Sequence, residues 1–337
     1  MEQQTTLLAS PLISPLSVAP MIDWTYTHFR VFMRLIAPHA LLYTDMQTVG
    51  AIVNNPHRAL SFHAIEHPLA LQLGGADQDG LVQCAKIAEE KGFAEINLNL
   101  GCPSDRVQAG RFGACLMNEP KHVADCIRAL KQAVSIPVTA KTRIGIDNQD
   151  SYEFFSAFVY QLVDAGCTKL VVHARKAWLH GLSPKQNRTI PPINYDYVYR
   201  IKRELPQISV IINGNIQTVS EIAKHMQQVD GVMLGRLACQ NPYALAEIHR
   251  YFYPQEPIRS RAAILKDYLV YALNQFEAKV ALSILLKPIF NLSYGLPGAR
   301  LWKERLVQIQ QHKKIDQLEE ILIHLHEMEH ASYSVLF

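Results

Sequence analysis

The stretch Ser209-Val210-Ile211-Ile212-Asn213-Gly214-Asn215-Ile216 indicates most clearly which fold this chain adopts. A nearly continuous apolar run of strand length is typical of a parallel strand that is buried on both faces. Seven further runs recur along the chain, and they are Ser17–Met21, Leu41–Met46, Leu69–Gly74, Ala94–Gly101, Pro137–Gly145, Lys169–Arg175 and Gly231–Arg236. Eight strands alternating with helices predict a closed (β/α)8 barrel, the TIM-barrel architecture of the α/β class.

Amphipathic segments between the apolar runs supply the predicted helices, among them Asp77–Gly92, Pro120–Val134, Ser151–Gly166 and Thr218–Gln228. Gly92 and Gly166 stand at helix ends, where a left-handed cap is needed. An open doubly wound sheet is the alternative fold. It is disfavoured because eight units close naturally and no G-x-G-x-x-G follows the first run.

The pattern changes after about Pro257, where strand signals end. Four helices are predicted there, at Ala262–Phe276, Lys279–Leu292, Arg300–Gln310 and Ile315–Met328. We therefore predict two domains, a barrel over residues 1–256 and an all-helical domain over residues 257–337. The long irregular segment Trp178–Ile193 lies inside the barrel region, and such loops are usually functional or act as lids.

Composition limits the class of protein. Of 337 residues, 49% are hydrophobic and 19% are charged, and the net charge of +3 neither demands nor excludes a nucleic-acid partner. The six cysteines form no C-x-x-C pair and no zinc-ligand spacing. Neither a signal peptide nor a membrane-spanning run is evident. We expect a reduced, cytoplasmic protein without a metal site or a protein partner, and no apolar stripe predicts a dimer, so a monomer is expected.

The C-terminal ends of the predicted strands carry many amides and cations, and barrel enzymes have their active sites at that face. The residues there are Pro20, Met21, Asp45, Gln72, Asn97, Asn99, Cys102, Lys141, Arg143, His173, Arg175, Asn213, Gly214, Gly235 and Arg236. Together they indicate a polar, phosphate-bearing ligand. Asn213-Gly214-Asn215 and Gly235-Arg236 carry the phosphate signal, because glycine lets backbone N–H groups approach an anion. The alternative is that these glycines only make tight turns.

Lys141 and Gln72 are residue types that suit a flavin. A cation near N1 and C2=O stabilises the reduced flavin, and an amide binds the pyrimidine edge. The alternative for Lys141 is an internal ion pair, for instance with Asp45. The alternative for His173 is a hydrogen-bonded position in the core.

Cys102 is the strongest single candidate for catalysis, because it opens a loop directly after a predicted strand. No base is paired with it in the sequence, and a free thiol is mostly protonated at neutral pH. A proton donor is therefore favoured over an acyl-enzyme nucleophile. Cys115 begins an apolar helical segment and is interpreted as structural, as are Cys84, Cys126 and Cys167.

At these positions the sequence resembles the tRNA-dihydrouridine synthases. The matching segments are Val18-Ala19-Pro20-Met21, Leu71-Gln72-Leu73-Gly74, Glu95–Ser104, Lys141-Thr142-Arg143-Ile144-Gly145, His173-Ala174-Arg175 and Gly235-Arg236. Three further segments are similar to the A branch of that family, namely Arg106–Met117, Ala174–Trp178 and Gly181–Arg188 with Pro191-Pro192. The resemblance extends from about Leu16 to Trp302, and as an ordered set these motifs are highly specific.

The resemblance implies an oxidoreductase with FMN in a TIM barrel, NADPH as reductant and reduction of the uracil C5–C6 bond in tRNA. The A branch implies D-loop positions 20 and 20a. Hydride would pass to C6, and Cys102 would give the proton to C5. FMN contacts are implied for Pro20, Met21, Gln72, Lys141, His173, Asn213, Gly214, Asn215, Gly235 and Arg236. Contacts with tRNA are implied for Asn99, Lys185, Arg188, Arg300 and Lys303.

Two positions depart from the family's pattern. Asn215 replaces the Gly or Asp that is usual after Asn213-Gly214, and asparagine tolerates a positive φ, so phosphate binding is expected to survive. Lys303 stands where an arginine is expected. Lysine keeps the charge but loses the planar fork of a bidentate contact.

Local charge favours RNA as the partner. Residues 175–203 hold seven Lys or Arg against the single acid Asp196, and residues 287–314 hold six against Glu304. Such local excesses fit phosphate contacts, although a solvated charged face is the alternative. Trp178 and Trp302 lie beside these clusters and could either stack on RNA or belong to the core.

Two other functions stay open from the sequence. One is an FMN barrel acting on a free pyrimidine, similar to the dihydroorotate dehydrogenases, which should keep most activity without residues after Pro257. The other is a non-enzymatic tRNA-binding chaperone with a vestigial flavin site. The presence of Cys102, Lys141 and His173 argues against the chaperone.

Overall fold

The computed structural model describes residues 14–313 and 317–334. Its strands β1 to β9 are Leu16–Val18, Leu41–Tyr43, Gln47–Thr48, Leu69–Gly74, Glu95–Leu100, Val138–Arg143, Lys169–His173, Ser209–Asn213 and Gly231–Leu234. Its helices α1 to α15 are Thr27–Ile36, Val49–Asn54, Pro56–Ala59, Gln78–Glu90, Asp105–Ala109, Pro120–Ala133, Tyr152–Asp164, Asp196–Glu204, Val219–His225, Arg236–Gln240, Ala244–Phe252, Arg261–Glu277, Leu282–Leu286, Ala299–His312 and Leu318–Ser334. Short 3-10 helices lie at Ala64–Glu66, Gly113–Asn118, Gln186–Arg188 and Lys287–Ile289.

Eight of these strands close into a parallel barrel, which confirms the predicted fold. The order around the barrel is β2-β1-β9-β8-β7-β6-β5-β4, and β2 pairs with β4 to close it. The closing pairs are Leu42 with Leu69 and Tyr43 with Ala70. The two-residue β3 pairs only with the end of β4, through Gln47 and Leu73.

Each of the eight predicted apolar runs overlaps one barrel strand, but β1 begins one residue before its run, at Leu16, and several strands end earlier than the runs do. The turn after β8 shows the reason, because Gly214 has φ +124° and Asn215 has φ +55°, which no strand can accommodate. In the predicted run Leu41–Met46, the strand ends at Tyr43. Positive φ values at Gly92 and Gly166 confirm the predicted left-handed caps.

Side chains fill the inside of the barrel, as expected for a TIM barrel of this size. The inner apolar layer consists of Ala19, Leu41, Tyr43, Ala70, Val171, Ile211 and Met233. Towards the N-terminal ends of the strands, the buried side chains of Glu95 and Lys169 form an ion pair.

The chain after the barrel is helical, as predicted, and α12 packs against α1 of the barrel. Phe32 and Tyr268 meet edge to face with ring centres 5.3 Å apart, and both side chains are fully buried. The predicted helix over Lys279–Leu292 is wrong in extent. Only Leu282–Leu286 is α-helical there, and the 3-10 turn Lys287–Ile289 follows, because Pro288 cannot donate a helical hydrogen bond.

The division into domains at residue 257 stays a prediction. The last predicted helix is observed at Leu318–Ser334, and Lys314 and Ile315 lie outside the described residues. Across the described ranges, no helix combines the length and the apolar character that a membrane crossing requires.

Candidate active site

The barrel brings the strand-end residues onto one rim because neighbouring parallel strands are in register. Asn99 on β5 lies opposite Lys141 on β6, and His173 on β7 lies opposite Asn213 on β8. Gln72 is buried on β4. The remaining predicted cofactor residues follow β1, β8 and β9 directly, and they are Pro20, Met21, Gly214, Asn215, Gly235 and Arg236.

Lys141 has no carboxylate partner in the described residues. Its Nζ donates to Asn213 Oδ1 at 3.2 Å. Asp45 accepts instead from Gln47 Nε2 at 2.8 Å, so the ion pair considered from the sequence does not form. Burial, aided by the charge of Arg143, lowers the pKa of Lys141 from 10.5 to about 7.

Four more cationic or basic groups crowd the same rim. Burial, followed by the charges of Arg143, Lys141, Arg175 and Arg236, lowers the pKa of His173 well below 6.5. Burial also lowers the pKa of Arg143 to about 10. Within residues 14–313 and 317–334 none of these side chains is paired with a carboxylate, and such a cluster of basic groups favours binding of an anion.

Two basic side chains at the rim have nitrogens without a partner in the described part of the chain. The half-buried ring of His173 makes no hydrogen bond there, which does not fit the alternative of a hydrogen-bonded position in the core. Arg175 Nε is buried and unpartnered, although Nη1 of that side chain donates to the carbonyl of Pro191. Buried polar groups rarely lack partners, and those at a site are natural ligand contacts.

The turn after β8 leaves no room for a side chain. A Cβ on Gly214 would lie 2.9 Å from His173 Cδ2, and the φ of Gly214 is one that glycine alone adopts readily. Tyr195 fixes this turn by donating from its hydroxyl to the Gly214 carbonyl at 2.7 Å. Asn215 adopts the left-handed conformation that its residue type predicts. A Cβ on Gly235, by contrast, would meet no atom closer than 3.7 Å.

Cys102 sits in the turn between β5 and α5, where its side chain is half-buried. The backbone N–H groups of Gly101 and Cys102 both donate to Asn99 Oδ1, at 3.2 and 3.0 Å. The Cys102 thiol lies 3.6 Å from Ser104 Oγ. Cys115 donates from its thiol to the Phe112 carbonyl at 3.2 Å, and burial raises its pKa, as the structural interpretation expects.

Arg143 has a role that the sequence did not reveal. Its Nε donates to the Gly101 carbonyl at 2.8 Å, and its guanidinium also donates to the carbonyls of Lys176 and Asn187, at 3.0 and 3.1 Å. This buried side chain therefore joins the Cys102 turn to the long segment Trp178–Ile193. A cation at a strand end was noticeable in the sequence, but its backbone partners are distant in the chain.

The residues predicted to contact tRNA are exposed, apart from Asn99 at the mouth. Lys185 and Arg188 project from the long segment, and Arg300 and Lys303 from α14. Lys303 lines a cavity of about 400 Å³ together with Trp24, Ser283, Lys287, Phe290, Asn291 and Gln310. Arg300 is paired with Glu304 at 2.9 Å in solvent, and such exposed pairs are weak.

Parts of the basic clusters are structural, which corrects the expectation from local charge. Lys176 pairs with Asp150, Arg200 with Glu204 and Lys202 with Asp230. Trp302 is not available for stacking on RNA, because it is fully buried and donates from Nε1 to the Ile289 carbonyl at 3.2 Å. Trp178 is half-buried beneath Lys176 Nζ, 4.4 Å from the ring centre.

Comparison with known proteins identifies the family. The sequence model of the family described as Dihydrouridine synthase (Dus) matches residues 17–328. The chain belongs to the dihydrouridine synthase family. A relative in Shewanella oneidensis, named tRNA-dihydrouridine(20/20a) synthase, is 50% identical over 291 residues, which cover 86% of this chain and 87% of the relative. A relative of the same name in Yersinia pestis is 47% identical over 314 residues, 91% of each chain.

A solved structure of a distant protein supports the fold alone. The 2-naphthoyl-CoA reductase bound to 2-naphthoyl-CoA superposes with a TM-score of 0.52 at 9% identity, over 69% of this chain and 49% of the reductase. Membership in the dihydrouridine synthase family confirms the resemblance drawn from the motifs. It also confirms that the chain is an enzyme, an oxidoreductase of the dihydrouridine synthase type.

Proposed function

We propose that this dihydrouridine synthase reduces the C5–C6 bond of uridine in tRNA, at D-loop positions 20 and 20a, with FMN as cofactor and NADPH as reductant. The observation that carries the proposal is the cluster of basic side chains beside Cys102, which have no carboxylate partner in the part of the chain that the structure describes. Relatives that are about half identical bear the name tRNA-dihydrouridine(20/20a) synthase, which supports the substrate and the positions.

The rim residues fit FMN. Lys141 would bind the N1/C2=O edge of the flavin, whose negative charge would partner the lysine. Gln72 would bind the pyrimidine edge of the flavin. Gly214, Asn215 and Arg236 would hold the phosphate, since a glycine turn lets backbone N–H groups approach an anion and an arginine adds a cation. The other proposed contacts are Pro20, Met21, His173, Asn213 and Gly235. When bound, FMN supplies the hydride for uracil C6.

Cys102 would give its proton to C5 as negative charge develops there. The turn that carries the thiol is held by Asn99 through two backbone N–H groups and by Arg143 through the Gly101 carbonyl. Two anchors on one turn fix the direction of the Cys102 side chain, and placement of that kind is a large part of acid catalysis.

The target base would leave the folded D-loop and enter the mouth, where Asn99 would bind its edge. Lys185 and Arg188 on one side and Arg300 and Lys303 on the other would contact the RNA backbone, because their charges are solvent-exposed. We further propose that a single copy acts, in the cytoplasm, without a protein partner.

The decisive experiment begins with the purified protein and the mass of any released chromophore. FMN-loaded protein, NADPH and tRNA lacking dihydrouridine should then give dihydrouridine mapped to positions 20 and 20a. A colourless protein that also fails to take up FMN would overturn the proposal, as would loaded protein that leaves the tRNA unchanged. Replacement of tRNA by free uridine distinguishes a free-pyrimidine enzyme.

The role of Cys102 has its own test. Cys102→Ala should lower the rate of tRNA reduction about 100-fold or more, the usual contribution of a general acid. Cys115→Ala, which removes a thiol 13 positions further along the connection between β5 and α6, is the matched control and should react at close to the wild-type rate. Equal rates in Cys102→Ala and the wild type would exclude the proton-donor role.

A further inference from the structure

A continuous line of hydrogen bonds runs from inside the barrel to its mouth. Glu95 Oε1 accepts from Thr139 Oγ1 at 2.6 Å. Thr139 Oγ1 accepts from Asn97 Nδ2 at 2.8 Å, and Asn97 Oδ1 accepts from Gln72 Nε2 at 2.9 Å. Gln72 Oε1 accepts in turn from Asn99 Nδ2 at 2.8 Å. We call these five side chains the amide relay.

Asn99 is the member of the amide relay that can meet the target base, because it lies at the mouth. Thr139 and Asn97 are fully buried, and Gln72 and Glu95 are 1% and 4% exposed, whereas Asn99 is half-buried at the mouth. These side chains are shielded from bulk solvent, so each amide of the relay takes its hydrogen-bond partner from a neighbouring side chain. The orientation of one amide therefore depends on that of the next.

The lower end of the relay is fixed by a carboxylate that can only accept. Glu95 accepts hydrogen bonds from Thr139 Oγ1, from the hydroxyl of Tyr43 at 2.9 Å and from the ammonium of Lys169. Burial, with the charge of Glu95, raises the pKa of Tyr43 well above 10, so the phenol stays a donor. All three neighbours therefore give their protons to this carboxylate.

The single proton of Thr139 determines the amides above it. The hydroxyl lies 2.6 Å from Glu95 Oε1 but 3.3 Å from the Ile96 carbonyl, and the shorter, charge-assisted bond is the stronger. With its proton so used, Thr139 must accept from the NH2 group of Asn97. Asn97 then presents its oxygen to Gln72, and Gln72 presents its oxygen to Asn99.

The hydrogen bonds at the upper end of the relay independently require the same orientation of the amides. The backbone N–H groups of Gly101 and Cys102 can only donate, and both point at Asn99 Oδ1. Both lone pairs of that oxygen are then occupied, and one proton of Asn99 Nδ2 is given to Gln72. One N–H of Asn99 is left for a ligand, and no acceptor.

We infer that Glu95 and Thr139 are positioning residues that set the choice of base, an inference that rests on the function proposed above. The amide relay holds Asn99 as a donor towards the target base. The inference includes that the base presents its C4 position to Asn99, where the carbonyl of uracil satisfies that donor. Cytosine places an amino group there, and two donors then face each other without an acceptor.

The test removes the relay's hydroxyl without changing its shape. Thr139→Val is isosteric and cannot donate or accept, whereas Thr139→Ser keeps the hydroxyl. Dissociation constants are measured for oxidised, FMN-loaded protein without NADPH, with two tRNA transcripts that carry uridine or cytidine at positions 20 and 20a. We expect the wild type and Thr139→Ser to bind the uridine transcript about tenfold more tightly than the cytidine transcript. Thr139→Val should prefer the uridine transcript less than about threefold.

Tyr43→Phe is the matched control, because it removes another hydrogen bond to Glu95 outside the amide relay. It should lower the melting temperature about as much as Thr139→Val does, yet keep the tenfold ratio. A folded, FMN-loaded Thr139→Val protein with an unchanged ratio would overturn the inference. An equal loss of the uridine-to-cytidine affinity ratio in Tyr43→Phe would also overturn the inference, because it would indicate general loosening of the barrel.

A neutron structure of the wild-type protein tests the inference without any substitution. Deuterons on the Asn99 nitrogen facing the mouth would support it, and an Asn99 oxygen facing the mouth would overturn it. Failure of the proposed function is recognised separately. In that case neither transcript binds the wild-type protein, while the neutron orientation still decides the direction of the amide relay.

Discussion

Lys141 shares its surroundings with Arg143 and His173 and contacts an amide rather than a carboxylate. The role of this lysine as a ligand-binding group could be predicted from the sequence, because a cation at the end of a barrel strand indicates an anionic ligand. Its depressed pKa could not be predicted, since the shift arises from burial and from a neighbouring arginine that only the closed barrel brings close. The cost of holding the charge there is relieved when an anion binds.

The pKa of Lys141 predicts that FMN affinity depends on pH. In the free protein the pKa is about 7, and a bound anion raises it, so binding above pH 7 requires uptake of a proton. The affinity should fall as the pH rises from 7.5 to 9, by up to about tenfold per pH unit. His173 stays neutral throughout this range because its pKa lies well below 6.5.

Fluorescence titration of apoprotein with FMN measures this dependence. Lys141→Met, which keeps the length but not the charge, should bind more weakly at pH 7.5 and show a much flatter curve. An equally steep curve in that variant would assign the proton to another group.

At the scale of elements, the strands were predictable because each buried parallel strand is a nearly continuous apolar run. The side-chain contacts that connect the elements could not be predicted. Arg143 links β6 to two loops through backbone carbonyls, and no local pattern encodes partners of that kind. Trp302 resembled an RNA-stacking residue because basic residues surround it in sequence, yet α14 turns it into the core.

The turn after β8 gives a prediction at this scale. Gly214→Ala should destabilise the protein by about 1–3 kcal/mol through backbone strain and should also weaken FMN binding, because the new methyl group displaces His173. Gly181→Ala is the control, since Gly181 also has a positive φ, +81°, but has open space around it. We expect it to lower stability without changing FMN affinity, as measured by urea unfolding and by FMN titration. Equal loss of FMN affinity in both variants would contradict the prediction.

At the scale of the whole molecule, the helices after the barrel are joined to it by a buried aromatic contact. Phe32 on α1 meets Tyr268 on α12, and the Tyr268 hydroxyl donates to the Leu285 carbonyl at 2.7 Å. The change in sequence pattern near Pro257 indicated a separate helical region, but apolar periodicity does not specify which helix of the barrel that region covers.

Tyr268→Ala should therefore destabilise both regions together. Loss of this buried side chain should cost about 3–5 kcal/mol, and calorimetry should show one unfolding transition at a lower temperature. Tyr294→Ala, at an exposed position, should leave the transition close to that of the wild type. Two separate transitions, with only one shifted, would mean that the helical region unfolds independently.

The filled interior of the barrel has a kinetic consequence. Tyr43, Val171 and Met233 belong to the buried apolar layer inside the barrel, so we expect the proposed reactants to share the entrance at the mouth. A nicotinamide donor and a macromolecular RNA cannot occupy that entrance together, and the donor must leave before the RNA base arrives. Plots of reciprocal initial rate against reciprocal NADPH concentration, at several tRNA concentrations, should then give parallel rather than intersecting lines.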